Sequence, residues 1–116
     1  MKKRNNLFFL KDIENSVRKI LNYTENIDFE TFLSDEKTID AVERNFEIIG
    51  EAVKSLTDDF KNTYPAIPFR QIAGMRDKII HDYFGVDYEI VWKTIKSKLP
   101  EFKSNIEKII KTIEEN

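Results

Sequence analysis

A chain of 116 residues, 41% hydrophobic and 34% charged, has the composition of a soluble globular domain with a modest core rather than of a disordered segment. Its 19 basic and 21 acidic residues leave a formal net charge of −2, which excludes a protein that coats nucleic acid by bulk charge but not one with a local basic site. With no cysteine it forms no disulfide, zinc–thiolate centre or cysteine nucleophile, and with three glycines and three prolines it has few places to turn.

The opening stretch, MKKRNNLFFLKD, starts with basic residues, but its apolar run from Leu7 to Leu10 is too short for the core of a signal peptide. No segment approaches the length of a membrane span, so a cytoplasmic protein without a membrane partner is expected. Leu10, Ile13, Val17, Ile20 and Leu21 then form an apolar stripe that predicts a first helix over roughly residues 5–25. Asp28 can cap a short helix from Phe29 to Leu33. Ile39, Val42, Phe46, Ile49, Val53, Leu56 and Phe60 follow in steps of three and four, the pattern of a long helix packed antiparallel in a bundle.

NTYPAIP interrupts that pattern, and Pro68 is placed to be the first residue of a fourth helix running to a stop at Gly85. Asp87 caps a fifth helix carrying Val91, Ile95, Leu99, Phe102, Ile106, Ile109 and Ile113, which Pro100 should kink or split near Leu99. Tyr88 and Trp92, one turn apart, should pack the end of the bundle. No period-two alternation is sustained. The expected fold is all-α, an up-and-down bundle of four to five helices, with residues 1–116 as one domain.

The fourth helix carries what a core helix does not need. Phe69, Ile72, Ile79, Ile80 and Tyr83 make its apolar stripe, and Arg76 falls inside it. A charge there needs a partner, and Glu47 or Glu51 on the third helix can supply one. His81, the only histidine, lies about 140° around the helix from Arg76 and shares its face with Arg70, Gly74 and Asp77. Asp77, one turn earlier, can accept a proton from one imidazole nitrogen and fix the tautomer. Gly74 removes bulk from that face, so that another helix or a ligand can come close.

The residues alone leave alternatives open: His81 as a capping or solvated residue, Arg76 as half of a structural ion pair, Tyr83 as a core aromatic with a wet hydroxyl. Arg44, Glu47, Glu51 and Lys54 form a polar stripe that either faces solvent or supports Arg76. No metal cluster, glycine-rich phosphate loop or Ser/His/Asp set is present, so neither metal nor cofactor is expected.

RNFEIIGEAVKSL at 44–56, IPFRQIAGMRDKIIHDYFGVDYEIVWKTI at 67–95 and the LP pair at 99–100 together resemble the HepT-like ribonuclease toxins of the HEPN superfamily. The resemblance covers most of residues 5–115. Its R-x4-H-x-Y motif maps onto Arg76, His81 and Tyr83, and Asp77 stands where the family often has asparagine. What the resemblance implies is a homodimer, or a larger assembly with its antitoxin, whose motifs line a shared cleft and cut RNA without metal. It further implies a toxin whose partner is a minimal nucleotidyltransferase antitoxin that transfers AMP to the motif tyrosine, here Tyr83.

The residue types suit such chemistry. The 2′-hydroxyl of RNA is itself the nucleophile, so the protein must move protons and offset charge. Arg76 would hold the scissile phosphate, His81 would act as general base or acid, Asp77 would orient His81, and Tyr83 would support the site. One histidine per chain is a reason to expect two protomers. The alternative function is a dimeric module that binds RNA, a nucleotide or the transferase and cleaves nothing.

Overall fold

A computed structural model of the chain describes residues 2–81 and 86–116, with eight helices and no strand among them. The first helix, α1 (Lys2–Thr24), buries Leu10, Ile13, Val17 and Ile20, the stripe that its sequence spacing predicts. Helix α2 (Phe29–Ser34) begins at Asp28, whose carboxylate accepts the Thr31 amide at 2.8 Å, as the cap position predicts. Phe32 is its buried residue. Its ring sits 5.2 Å from Trp92 and 6.2 Å from Tyr88, so α2 closes the end of the bundle where those aromatics were expected to pack.

Helix α3 (Glu36–Ser55) lays Ile39, Val42, Phe46, Ile49 and Val53 into the core. The periodicity predicted one helix as far as Phe60, but the chain leaves α-helix at Leu56, whose φ of −64° and ψ of 141° are extended. Thr57 then caps a separate short helix, α4 (Asp58–Thr63), accepting the Phe60 amide at 3.2 Å. A contact with α1 holds this corner: the Asn6 amide group donates to the Thr57 hydroxyl at 3.4 Å and accepts the Thr57 amide at 3.3 Å. Asn6 is buried, so both halves of its side chain need partners.

The expected fourth helix is two. Pro68 stands outside it as the residue before α5 (Phe69–Ala73), not as its first residue. The helix is interrupted at Gly74, whose φ of −77° and ψ of −8° stay near the helical region, and resumes as α6 (Met75–Ile80), with His81 as its C-cap. Gly85, the expected stop, lies outside the described residues. Helix α7 (Val86–Ser97) already contains Asp87 in its first turn, so Asp87 is not its cap. The split expected at Pro100 is present: α7 ends at Ser97, and α8 (Leu99–Glu115) starts with Pro100 in its first turn, where a missing amide hydrogen costs nothing.

Helix α1 lies mainly against α3 and α8, while α5 and α6 both lie on α3 and α6 also meets α7. This is the expected all-α up-and-down bundle, closed where α8 returns to α1. One cluster of buried apolar side chains runs through it, from Leu10 and Val17 to Phe46, Ile72, Ile95, Leu99 and Phe102. Lys96 fastens α7 to the end of α1, donating to the Thr24 carbonyl at 2.7 Å with its ammonium 4.6 Å from the Trp92 ring centre. Among the described residues no helix is long and apolar enough to cross a membrane.

Candidate active site

The site is built on α5 and α6 because their buried residues, Phe69, Ile72, Met75 and Ile79, anchor the short helices to the core and turn the residues between them outward. Arg76 is one such residue. It is half-buried, and its Nε lies 3.7 Å from the Glu47 carboxylate on α3, the partner anticipated from the sequence. That separation makes an ion pair but not a hydrogen bond. The buried Nε has no hydrogen-bond acceptor, and none of the guanidinium donors is satisfied within the described residues. Both side chains are about two-fifths exposed, so water screens the pair and it adds only ~0–1 kcal/mol to stability.

His81 follows the last turn of α6 and is exposed. The Asp77 carboxylate was expected to orient it, but the backbone carbonyl of Asp77 does so instead. That oxygen accepts the His81 amide at 2.9 Å and also lies 2.9 Å from imidazole Nδ1. A carbonyl can only accept, so Nδ1 carries the proton and Nε2 of the neutral ring holds the lone pair. The Asp77 side chain itself is exposed and forms no ion pair among the described residues. The substitution is physically reasonable: after the last helical residue the carbonyl of residue i−4 has a free lone pair, and it is held more rigidly than a carboxylate. Tyr83 lies outside the described residues.

Among the described residues Arg76 and His81 line different clefts. Arg76 lines a cleft of about 450 Å³ between α3 and α5–α6, with Glu47, Gly50, Glu51 and Lys54. His81 lines another, of about 460 Å³, with Met75, Lys78 and Asp87. The two clefts adjoin along Arg70, Gly74 and Asp77, which line both. The polar stripe of α3 is thus divided, with Glu47 on Arg76, Glu51 and Lys54 on the same cleft, and Arg44 outside it.

Among the described residues no other helix comes close at Gly74: a Cβ there would meet only the carbonyls of Arg70 and Gln71, at 3.4 and 3.6 Å. The close approach occurs at Gly50, where a Cβ would stand 3.5 Å from the Ala73 carbonyl. Gly50 was not singled out from the sequence, although a glycine within an otherwise regular helix is the usual signal of such an approach. Lys61 was also passed over. It reaches back to the Val53 carbonyl at 3.2 Å, satisfying the C-terminal end of α3 beside the Arg76 cleft. Among the described residues no three His, Asp or Glu side chains converge as metal ligands.

Residues 13–109 match the family described as Ribonuclease HepT-like. The chain is 50% identical over 115 residues to "Putative RNase MJ0125" of Methanocaldococcus jannaschii, covering 99% of each chain. It is 50% identical to "Putative RNase MJ1216" of the same organism over 98% of this chain and 94% of that one. To "Probable ribonuclease HepT" of Thermococcus cleftensis it is 49% identical over 94% of this chain and 99% of that one. No solved structure matches the chain. A family match over most of the bundle, together with relatives aligned nearly end to end, makes this chain a member of the HepT-like ribonuclease family.

Proposed function

We propose that the chain is a metal-independent endoribonuclease, with Arg76 and His81 as its catalytic pair, and that it acts as the toxin of a toxin–antitoxin system. The observation that carries this reading is the state of the two side chains. In a chain of a ribonuclease family, Arg76 offers a guanidinium whose donors meet no hydrogen-bond acceptor among the described residues, and His81 is held in the tautomer whose Nε2 can take a proton. Nε2 would remove the proton from a ribose 2′-hydroxyl, and the oxygen would attack the adjacent phosphorus. The P–O5′ bond would break, leaving a cyclic phosphate and a 5′-hydroxyl once the leaving oxygen is protonated. Arg76 would offset the charge that builds on the phosphoryl oxygens.

One histidine cannot face both the attacking and the leaving oxygen. The proton for the leaving group would come from His81 of a second protomer or from Tyr83. The divergence of the Arg76 and His81 clefts supports a homodimer, in which an Arg76 cleft and a His81 cleft meet across the two-fold axis. Light scattering at micromolar concentration should then give the mass of a dimer or of a larger assembly.

The partner in this reading is a minimal nucleotidyltransferase that adds AMP to Tyr83, placing an anion where it would compete with RNA for Arg76. Intact mass after coexpression with such a transferase should rise by whole AMP units in the wild type and not in Tyr83→Phe.

The deciding experiment incubates cellular RNA in EDTA with wild-type protein or His81→Ala, both made without a partner, and resolves the products on a denaturing gel. Cleavage by the wild type alone is the expected result. Equal cleavage by both would remove His81 from the chemistry. No cleavage by either, with Tyr83 unmodified by mass, would favour a dimer that binds RNA, a nucleotide or the transferase and cuts nothing.

A further inference from the structure

Arg70 has no role in the catalytic scheme above, yet it lines three clefts. It borders the Arg76 cleft, the His81 cleft and a third opening of about 530 Å³ between α4 and α5. Its side chain is exposed and, unlike Arg18 with Glu14 and Arg76 with Glu47, it has no carboxylate partner among the described residues. The third opening is also lined by Lys61, Asn62, Tyr64, Gln71 and Asp58. Lys61 is paired with Asp58 at 3.8 Å, so among the described residues Arg70 is the uncompensated charge of this opening and makes it locally positive on a chain whose net charge is −2. Its volume falls within the range of small-ligand sites.

The wall of this opening is preformed. Tyr64 is half-buried against Phe60, their ring centres 5.1 Å apart, and Phe60 in turn lies 6.3 Å from buried Phe69. The aromatic row holds the Tyr64 ring in place, so ordering it on binding costs little entropy. Asn62 and Gln71 supply amide donors and acceptors beside it.

We infer that this opening is a subsite for the RNA strand next to the cleavage site: Arg70 holds the neighbouring backbone phosphate through its guanidinium fork, and the Tyr64 ring takes the adjoining base by stacking. The inference rests on the ribonuclease reading and extends it from the reacting atoms to the substrate strand. Arg70 and Tyr64 are positioning residues and touch no reacting atom. Continuity carries the assignment, because a strand leaving either catalytic cleft past Arg70 meets Lys61 and the Tyr64 opening next. A phosphate and a base are the two groups that an arginine without a carboxylate partner beside a half-buried aromatic ring binds best.

The test measures binding and cleavage separately. Binding of a short fluorescent single-stranded RNA with 2′-O-methyl riboses, which has no nucleophile and cannot be cut, is followed by anisotropy across a salt series. Arg70→Ala should weaken it about tenfold and lower the slope of log affinity on log salt by about one. Arg70→Lys should keep the slope. Tyr64→Leu should weaken binding to a similar extent with the slope unchanged, since a stacked base carries no counterion. In the cleavage assay Arg70→Ala should raise KM while kcat stays near wild type. Wild-type affinity and slope in Arg70→Ala would overturn the phosphate assignment, and wild-type affinity in Tyr64→Leu would overturn the stacking assignment. If the wild-type chain cuts no RNA, the ribonuclease reading fails in its own assay, while the uncuttable probe still decides whether these residues bind the strand.

Discussion

Arg76 shows how one side chain can be structural and available at once. Its pair with Glu47 is too long for a hydrogen bond and too exposed to contribute much to stability, so among the described residues no hydrogen bond holds the guanidinium against an incoming phosphate. Arg76→Ala should therefore shift the folding free energy by less than about 1 kcal/mol in a denaturant melt. The same change should lower kcat for RNA cleavage by about a hundredfold or more, as loss of a transition-state donor does. A large loss of stability with intact cleavage would reverse that assignment. Asp35 is another residue whose effect can be read in solution. It ends α2 and caps α3, and the Thr38 hydroxyl at 2.7 Å and amide at 3.1 Å hold its carboxyl below the ordinary value of 3.8. A carboxyl lowered in the folded state contributes stability that is complete above its unfolded value and is lost as pH falls through the folded one. The gap in melting temperature between wild type and Asp35→Ala should thus be widest near neutral pH and narrow below pH 3.8. Asp35→Asn, which keeps the acceptor without the charge, should show a flatter profile.

At the level of helices, periodicity anticipated which residues face inward more reliably than where a helix ends. The stripe of α3 continues in register through Leu56 to Phe60, yet the backbone turns out at Leu56. Local spacing cannot reveal that turn, because it is held by buried Asn6, fifty-one residues away, clasping Thr57 from both sides. The break at Pro100 was legible because proline alone imposes it, wherever the neighbours lie. Close packing of α5 on α3 depends on Gly50, and its geometry gives two opposite expectations. A single methyl at 3.5 Å from the Ala73 carbonyl is an ordinary contact, so Gly50→Ala should stabilise α3 by about 0.5–1 kcal/mol through helix propensity. Gly50→Leu should instead push α5 and α6 off α3, costing about 1–3 kcal/mol and misplacing Arg76. Thermal melts of the two variants beside their cleavage rates would check both signs.

For the whole molecule, the bundle rests on one apolar cluster that joins all four long helices. Phe46, fully buried on α3, lies near its middle, and Phe46→Ala should cost about 3–5 kcal/mol in a urea melt, a large part of the ~5–15 kcal/mol that holds such a domain together. The all-α class, the inward faces, the caps at Asp28 and the break at Pro100 were all present in the residues, because helix period, capping and proline chemistry act within a few positions along the chain. The R-x4-H-x-Y spacing and its surroundings likewise pointed to the family. The site's shape came from contacts between residues far apart in sequence. Glu47 rather than Glu51 meets Arg76, and Gly50 rather than Gly74 admits the neighbouring helix. Each depends on how far one helix is rotated against another, which is set by packing the whole core and not by any local stretch of the chain.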